Sequence, residues 1–196
     1  MPLMKKFHIK SEIRILGIDD SASLCGKVII VGTFFRGSTW LDGVIYSKIE
    51  YDGMDGTDVI IKMIQSSKHY TQIRIIMLDG ITYAGFNPID IHKIYYETSI
   101  PVIVIIRKIP NFKKIKAALK HLRHSNERFE IIKRAGKISS VFTKKNLDPV
   151  YIQYVGIHKG DAKHIVKLTS IRSKIPEPLR IAHIIATKIN TVKLKI

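Results

Sequence analysis

The stretch Gln72–Gly85 reads QIRIIMLDGITYAG, a run dominated by Ile, Met and Leu that stops abruptly at Asp79-Gly80. Its length and apolarity suit a central strand buried on both faces. Desolvation penalises a carboxylate at the end of such a strand unless something cationic meets it. The rest of the chain has to supply the reason for that acid.

A second strand, Glu12–Asp19, ends the same way, in GIDD at Gly17–Asp20. Residues two apart on a strand share a face, so Asp19 stands with Gly17 and Ile15, and Asp79 with Met77 and Ile75. If the two strands are parallel neighbours, about 4.8 Å apart, their carboxylates can share an ion at the carboxyl edge, where open α/β sheets hold their sites. Hard oxygen ligands on rigid strand ends suit Mg²⁺ or Mn²⁺. Such a centre can activate water and stabilise the leaving oxygen of a phosphodiester. The competing reading of Asp19 and Asp79 is a polar strand end that caps a loop. Asp58 is a candidate third acid, and a helix N-cap or a partner for the helix dipole is an equal reading of it. Asp20, Asp42, Asp52 and Asp55 read as turn acids.

Around these acids the pattern is that of a mixed sheet. Glu12–Asp19, Lys27–Arg36 and Leu41–Tyr51 read as strands joined by short connections, hence an antiparallel meander whose third strand has one wet face. Turn signals cluster at Asp52–Asp58, and Val59–Gln65 has helical spacing. From Gln72 onward strands and helices alternate. Asn87 as N-cap, Pro88 and Asp90 predict a helix start, Ile100–Arg107 a covered parallel strand, and Asn111–His124 a basic helix. Val150–Val155 reads as a strand and Pro176–Lys188 as a closing helix. The expectation is one α/β domain over residues 1–196, with helices on both faces.

The 196 residues carry 33 Lys+Arg against 16 Asp+Glu, a net charge of +17. That excess favours polyanions through counterion release, although composition bias or a hot habitat produces similar numbers. No run approaches the roughly 20 apolar residues of a membrane span. MPLMKKFHIKSEIRIL lacks the apolar block of a signal peptide. The single cysteine, Cys25, excludes an internal disulfide and a multi-cysteine zinc site, and a cytoplasmic location is expected. Phosphate-cradling glycine motifs and G-x-S-x-G are absent, which disfavours nucleotide-loop and acyl-transfer chemistry. His121 and His124 read as solvated surface residues.

Six stretches together resemble the archaeal endonuclease dU family, which is itself similar to endonuclease V and the ribonuclease H-like nucleases. They are RILGIDD (14–20), FFRGSTWLDGV (34–44), DGMDGTD (52–58), IMLDGITYAGFNPIDI (76–91), PVIVIIRKIP (101–110) and IPEPLRIAHIIA (175–186). The resemblance implies a ribonuclease H-like three-layer fold, with a mixed five-stranded sheet in the order 3-2-1-4-5 plus C-terminal strand and helix additions. The Gly-Val-Asp pattern of endonuclease V falls on Gly17-Ile18-Asp19 and its Asp-Gly on Asp79-Gly80. Its first-helix Glu falls nearest Asp58, and its Lys after the fifth strand falls near Arg107 or Lys108. Its C-terminal His has no match in register; His158, one residue late in YIQYVGIH, is the candidate replacement. The strand-separating Pro-Tyr-Ile-Pro-Gly wedge is missing.

The resemblance implies a Mg²⁺- or Mn²⁺-dependent endonuclease acting on DNA with a deaminated base such as uracil, with RNA left open as the substrate. Asp19 and Asp79 are expected to hold the metal with Asp58, while Arg107 and His158 join the catalytic set. Arg36, Gly80, Arg107, Lys108, Lys113 and Lys114 are expected to meet the nucleic acid. Two rivals stand beside this expectation: a ribonuclease H-like module that binds without cutting, and a phosphohydrolase of small nucleotides.

Overall fold

The computed structural model describes residues 9–21 and 26–193. Cys25 and residues 1–8, on which the disulfide and signal-peptide readings bear, lie outside the described residues. Seven strands form one sheet: β1 (Arg14–Asp20), β2 (Lys27–Arg36), β3 (Trp40–Glu50), β4 (Ile75–Asp79), β5 (Val102–Ile106), β6 (Ser139–Val141) and β7 (Val150–Val155). Their order across the sheet is β3-β2-β1-β4-β5-β7-β6. The expected 3-2-1-4-5 is thus its core, and β7 and β6 extend it antiparallel beyond β5. That extension covers the outer edge of an apolar strand that would otherwise be open to pairing with other chains.

β1 pairs parallel with β4, Gly17 opposite Met77 and Ile18 opposite Leu78. β5 in turn lies parallel to β4, with Ile105 opposite Asp79. Alternation then sorts the side chains into two layers. Leu16, Ile18, Ile76 and Leu78 face α1 (Gly56–Gln65) and α2 (Ile91–Thr98). Ile15, Ile75, Met77 and Ile105 face α5 (Lys159–Thr169) and the start of α6 (Glu177–Lys193). α6 crosses β1 very closely: a Cβ on Gly17 would sit 2.6 Å from carbons of Pro178. The Thr33 hydroxyl donates to the Pro178 carbonyl at 2.7 Å and ties the same crossing to β2.

Several local expectations are corrected. The helix expected at Asn87 begins later, with Asp90 as its N-cap accepting from the His92 and Lys93 N–H groups. Asn87 and Pro88 instead pair with Thr82 and Tyr83 in a two-residue ladder. The Asn87 side chain is turned to the α1 start, accepting from the Gly56 N–H and donating to Asp55. The basic helix expected over 111–124 is shorter, α3 (Phe112–Leu119), and after a turn His124, in the left-handed region at φ 58°, leads into a further helix that was not expected, α4 (Ser125–Arg134). Arg128 of α4 is buried and donates to the carbonyls of Asp52, Gly53, Phe86 and Arg123. Four carbonyls thus satisfy a guanidinium that apolar periodicity could not have placed inside. Asp42 lies not in a turn but at a bulge of β3, where the register with β2 shifts, and accepts from Arg14 at 2.8 Å. No described helix is long and apolar enough to cross a membrane.

Candidate metal centre

The register of β1 on β4 brings Asp19 and Asp79 to adjacent strand ends on the α6 face. His183, on α6, completes a group whose ligand atoms all lie within 4.8 Å of one another. His183 Nδ1 is 2.8 Å from Asp19 Oδ2, and Asp19 Oδ1 accepts from the Asp20 N–H at 2.8 Å. Arg107, just after β5, donates to Asp79 Oδ2 at 2.5 Å. Asp19 is 4% exposed, whereas His183 and Arg107 are open to solvent. Two carboxylates therefore meet at the mouth of a dry strand edge, with one guanidinium and one imidazole to offset them.

Electrostatics follow from that geometry. Burial, and after it the charge of Asp79, push Asp19 up to about 7. Burial also raises Asp20, although its Oδ2 accepts from the Ala84 N–H at 2.6 Å. The hydrogen bond to Asp79 raises Arg107 further, so its guanidinium stays charged. Gly80 turns the chain at φ +98°, and its N–H donates to the Ile105 carbonyl at 2.9 Å. A side chain would be strained there, so only glycine leaves this backbone relaxed beside Asp79.

The other expected residues divide. Lys108, Lys113 and Lys114 are exposed on the segment that leaves β5 at the same carboxyl edge, where Asn111 caps α3 by accepting from the Lys114 N–H at 3.1 Å. Asp58 does not join the acids. It stands exposed in the first turn of α1, on the opposite layer, 2.6 Å from Lys93 Nζ. His158 is exposed at the start of α5 and is not part of the group either. Arg36 lies opposite Arg14, at the other end of β1 and about 16 Å along the strand from Asp19. Its guanidinium rests over the Trp40 ring at 5.9 Å.

His183 is the residue that sequence reasoning missed. It sits inside IPEPLRIAHIIA, four residues after the buried Leu179 and one after the buried Ala182, so it flanks the buried stripe of α6. A histidine beside such a stripe is a usable signal only when α6 is known to cross β1.

The family model for endonuclease dU matches residues 11–190. The chain belongs to the endonuclease dU family. A UPF0215 protein of Methanosarcina acetivorans is 60% identical over 183 residues, covering 93% of each chain. Among solved structures, a protein of unknown function from Archaeoglobus fulgidus matches with a TM-score of 0.82 at 38% identity, covering 90% of this chain and 98% of that one. Endonuclease V of Ciona intestinalis, solved with a 24mer DNA containing an inosine followed by a ribo-adenosine, matches with a TM-score of 0.63 at 11% identity. That match covers 93% of this chain and 87% of the other. The fold is therefore ribonuclease H-like, and the endonuclease dU family together with this fold supports a nuclease.

Proposed function

We propose that this endonuclease dU chain is a metal-dependent endonuclease that cleaves phosphodiester bonds in DNA carrying a deaminated base such as deoxyuridine. The observation that carries the reading is the convergence of Asp19, Asp79 and His183 within 4.8 Å at the carboxyl edge of two parallel strands. The donor set fits a divalent ion: the buried Asp19 carboxylate has no Lys or Arg partner among the described contacts, and Arg107 occupies only Asp79 Oδ2. Two carboxylate oxygens suit Mg²⁺ or Mn²⁺ over softer metals.

Asp19 and Asp79 would hold the ion. Bound there, it supplies Lewis-acid stabilisation of phosphate charge and acidifies water. His183, its Nδ1 2.8 Å from Asp19 Oδ2, would orient that carboxylate, and in the tautomer that donates from Nδ1 its Nε2 would be the nitrogen left to accept a proton. Arg107, half exposed beside Asp79, neutralises a phosphate oxygen as charge develops. Lys108, Lys113 and Lys114 take the flanking backbone, and Gly80 lets it approach the acids.

The test is incubation with labelled DNA and RNA, duplex and single-stranded, each carrying uracil or hypoxanthine, with Mg²⁺, Mn²⁺ or chelator. Cleavage of uracil-containing DNA that needs the metal and is lost in Asp79→Asn is the expected result. Wild-type rates in Asp79→Asn would overturn the mechanism. The position of Asp58, outside the group, favours a second reading: a domain that binds nucleic acid without cutting it. That reading gains if every substrate is bound and none is cut.

A further inference from the structure

Tyr83 is fully enclosed, 1% exposed, yet its ring ends in a polar atom at the most sensitive point of the sheet. Its hydroxyl donates to the Ile18 carbonyl at 2.7 Å and accepts from the Asp79 N–H at 3.1 Å. Ile18 immediately precedes Asp19. One oxygen thus clips β1 to β4 at the peptide units that carry the two acids, on the layer opposite their carboxylates. Beyond Leu78 the parallel ladder ends, so this link continues the pairing where main-chain partners run out.

The tyrosine is itself held. It lies in the tight segment between Gly80 and Gly85, in which Gly80, Ala84 and Gly85 all have positive φ. The next N–H, that of Ala84, donates to Asp20 Oδ2 at 2.6 Å, and the Ala84 carbonyl accepts from the Asp52 N–H at 2.8 Å. Asp52 Oδ1 accepts from the Phe86 N–H at 2.7 Å. Asp20, the second acid of GIDD, therefore points away from the metal group and anchors the loop that bears Tyr83. Two neighbouring acids thereby divide the work, Asp19 facing Asp79 and His183 and Asp20 fixing the clip.

We infer that Tyr83 is a positioning residue that sets the separation of Asp19 and Asp79, and with it the affinity of the centre for a divalent ion. The inference rests on the reading of Asp19, Asp79 and His183 as a metal centre. Carboxylates on strand ends approach each other only as closely as the strands that carry them, and once both are ionised, as metal binding requires, their like charges push those ends apart. A hydroxyl buried between the strands resists that push without lending charge to the site. Outer-shell partners of this kind commonly change metal affinity 10–100-fold when removed.

The deciding variant is Tyr83→Phe, which keeps the ring and removes the clip. Calorimetric titration with Mn²⁺ should give a binding constant weakened by about 10-fold or more, while Ile94→Val, a core change under α2, should bind Mn²⁺ as the wild type does. Equal Mn²⁺ affinity in wild type and Tyr83→Phe would overturn the proposal even if the variant melts earlier, because a merely structural tyrosine lowers melting temperature alone. Amide exchange in the wild-type protein provides a reading that needs no variant. The Asp79 N–H should be strongly protected, and exchange as fast as an exposed amide would also overturn the clip. If the wild type binds no Mn²⁺ while Asp79 remains protected, the metal centre fails and the positioning role falls with it, although the clip itself stands.

Discussion

His183 Nδ1 meets Asp19 Oδ2 at 2.8 Å across 164 positions of sequence, joining the last helix to the first strand. Because the imidazole orients the buried carboxylate, His183→Ala should weaken Mn²⁺ binding by roughly 10–100-fold, the usual effect of losing such a partner. His158→Ala should leave it unchanged, since that ring is exposed at the head of α5. Calorimetric titration of both variants separates the two histidines. Equal loss in both would mean that α6 is not the element that completes the centre.

The pH dependence has a definite sign. Folded Asp19, raised to about 7, keeps a proton that an ordinary carboxylate at 3.8 releases. Between those values the folded state binds more protons than the unfolded one, so metal-free stability falls as pH rises from about 4 to 7. The full effect is on the order of 4 kcal/mol. Metal binding needs the deprotonated form, so the rise in melting temperature on adding Mg²⁺ should be larger at pH 8 than at pH 5.5. Thermal melts across that range with Mg²⁺ or chelator check both trends, and a Mg²⁺ effect independent of pH would contradict the placement of Asp19.

The exposed cations make a prediction about salt. Lys108, Lys113 and Lys114 lie on the segment that leaves β5 beside Asp79. If each grips one phosphate, replacing one with Ala should reduce the slope of log affinity against log salt by about 0.9 for duplex DNA. Arg36→Ala should leave the slope unchanged, since that side chain lies at the far end of β1 over Trp40. Binding isotherms at several salt concentrations decide it, and a slope altered only by Arg36→Ala would move the nucleic acid to the opposite end of the sheet.

The shared face of Asp19 and Asp79 was legible in the sequence because strand parity is local: an apolar run with period two fixes the face of its last residue. The parallel pairing of β1 and β4 needed topology, which the family resemblance supplied. The place of Asp58, away from Asp19 and Asp79, was not legible because a first-turn acid on α1 serves the helix dipole and Lys93 equally well, and the layer on which α1 packs is not written in DGMDGTD. α4 escaped because its buried face is short, only Arg128 and Ile132, whereas α5 does carry a buried stripe of Ala162, Ile165, Val166 and Thr169, diluted in sequence by the polar residues of KGDAKHIVKLT. Tyr83 and His183 stayed hidden for a shared reason. Each acts through a partner more than 60 positions away, Ile18 for one and Asp19 for the other.

The crossing that brings His183 to Asp19 depends on one missing methyl group. A Cβ on Gly17 would lie 2.6 Å from the Pro178 carbonyl carbon and Cβ, and 2.9 Å from the Leu179 nitrogen. These are backbone or backbone-adjacent atoms that no rotamer change can move. Gly17→Ala should therefore lift the start of α6 from β1, with an overpacking cost of about 1–3 kcal/mol. Leu179, buried against Ile15 and Met77, would lose part of its packing. His183 rides on the same helix, so Gly17→Ala should also weaken Mn²⁺ binding without touching any ligand. Gly26→Ala is the informative contrast, because a Cβ there meets nothing within 4 Å, so only the strain of its φ of +67° is felt. Denaturant unfolding and Mn²⁺ titration of the pair test the coupling: stability loss in both variants, but metal loss in Gly17→Ala alone, is the outcome that this crossing requires.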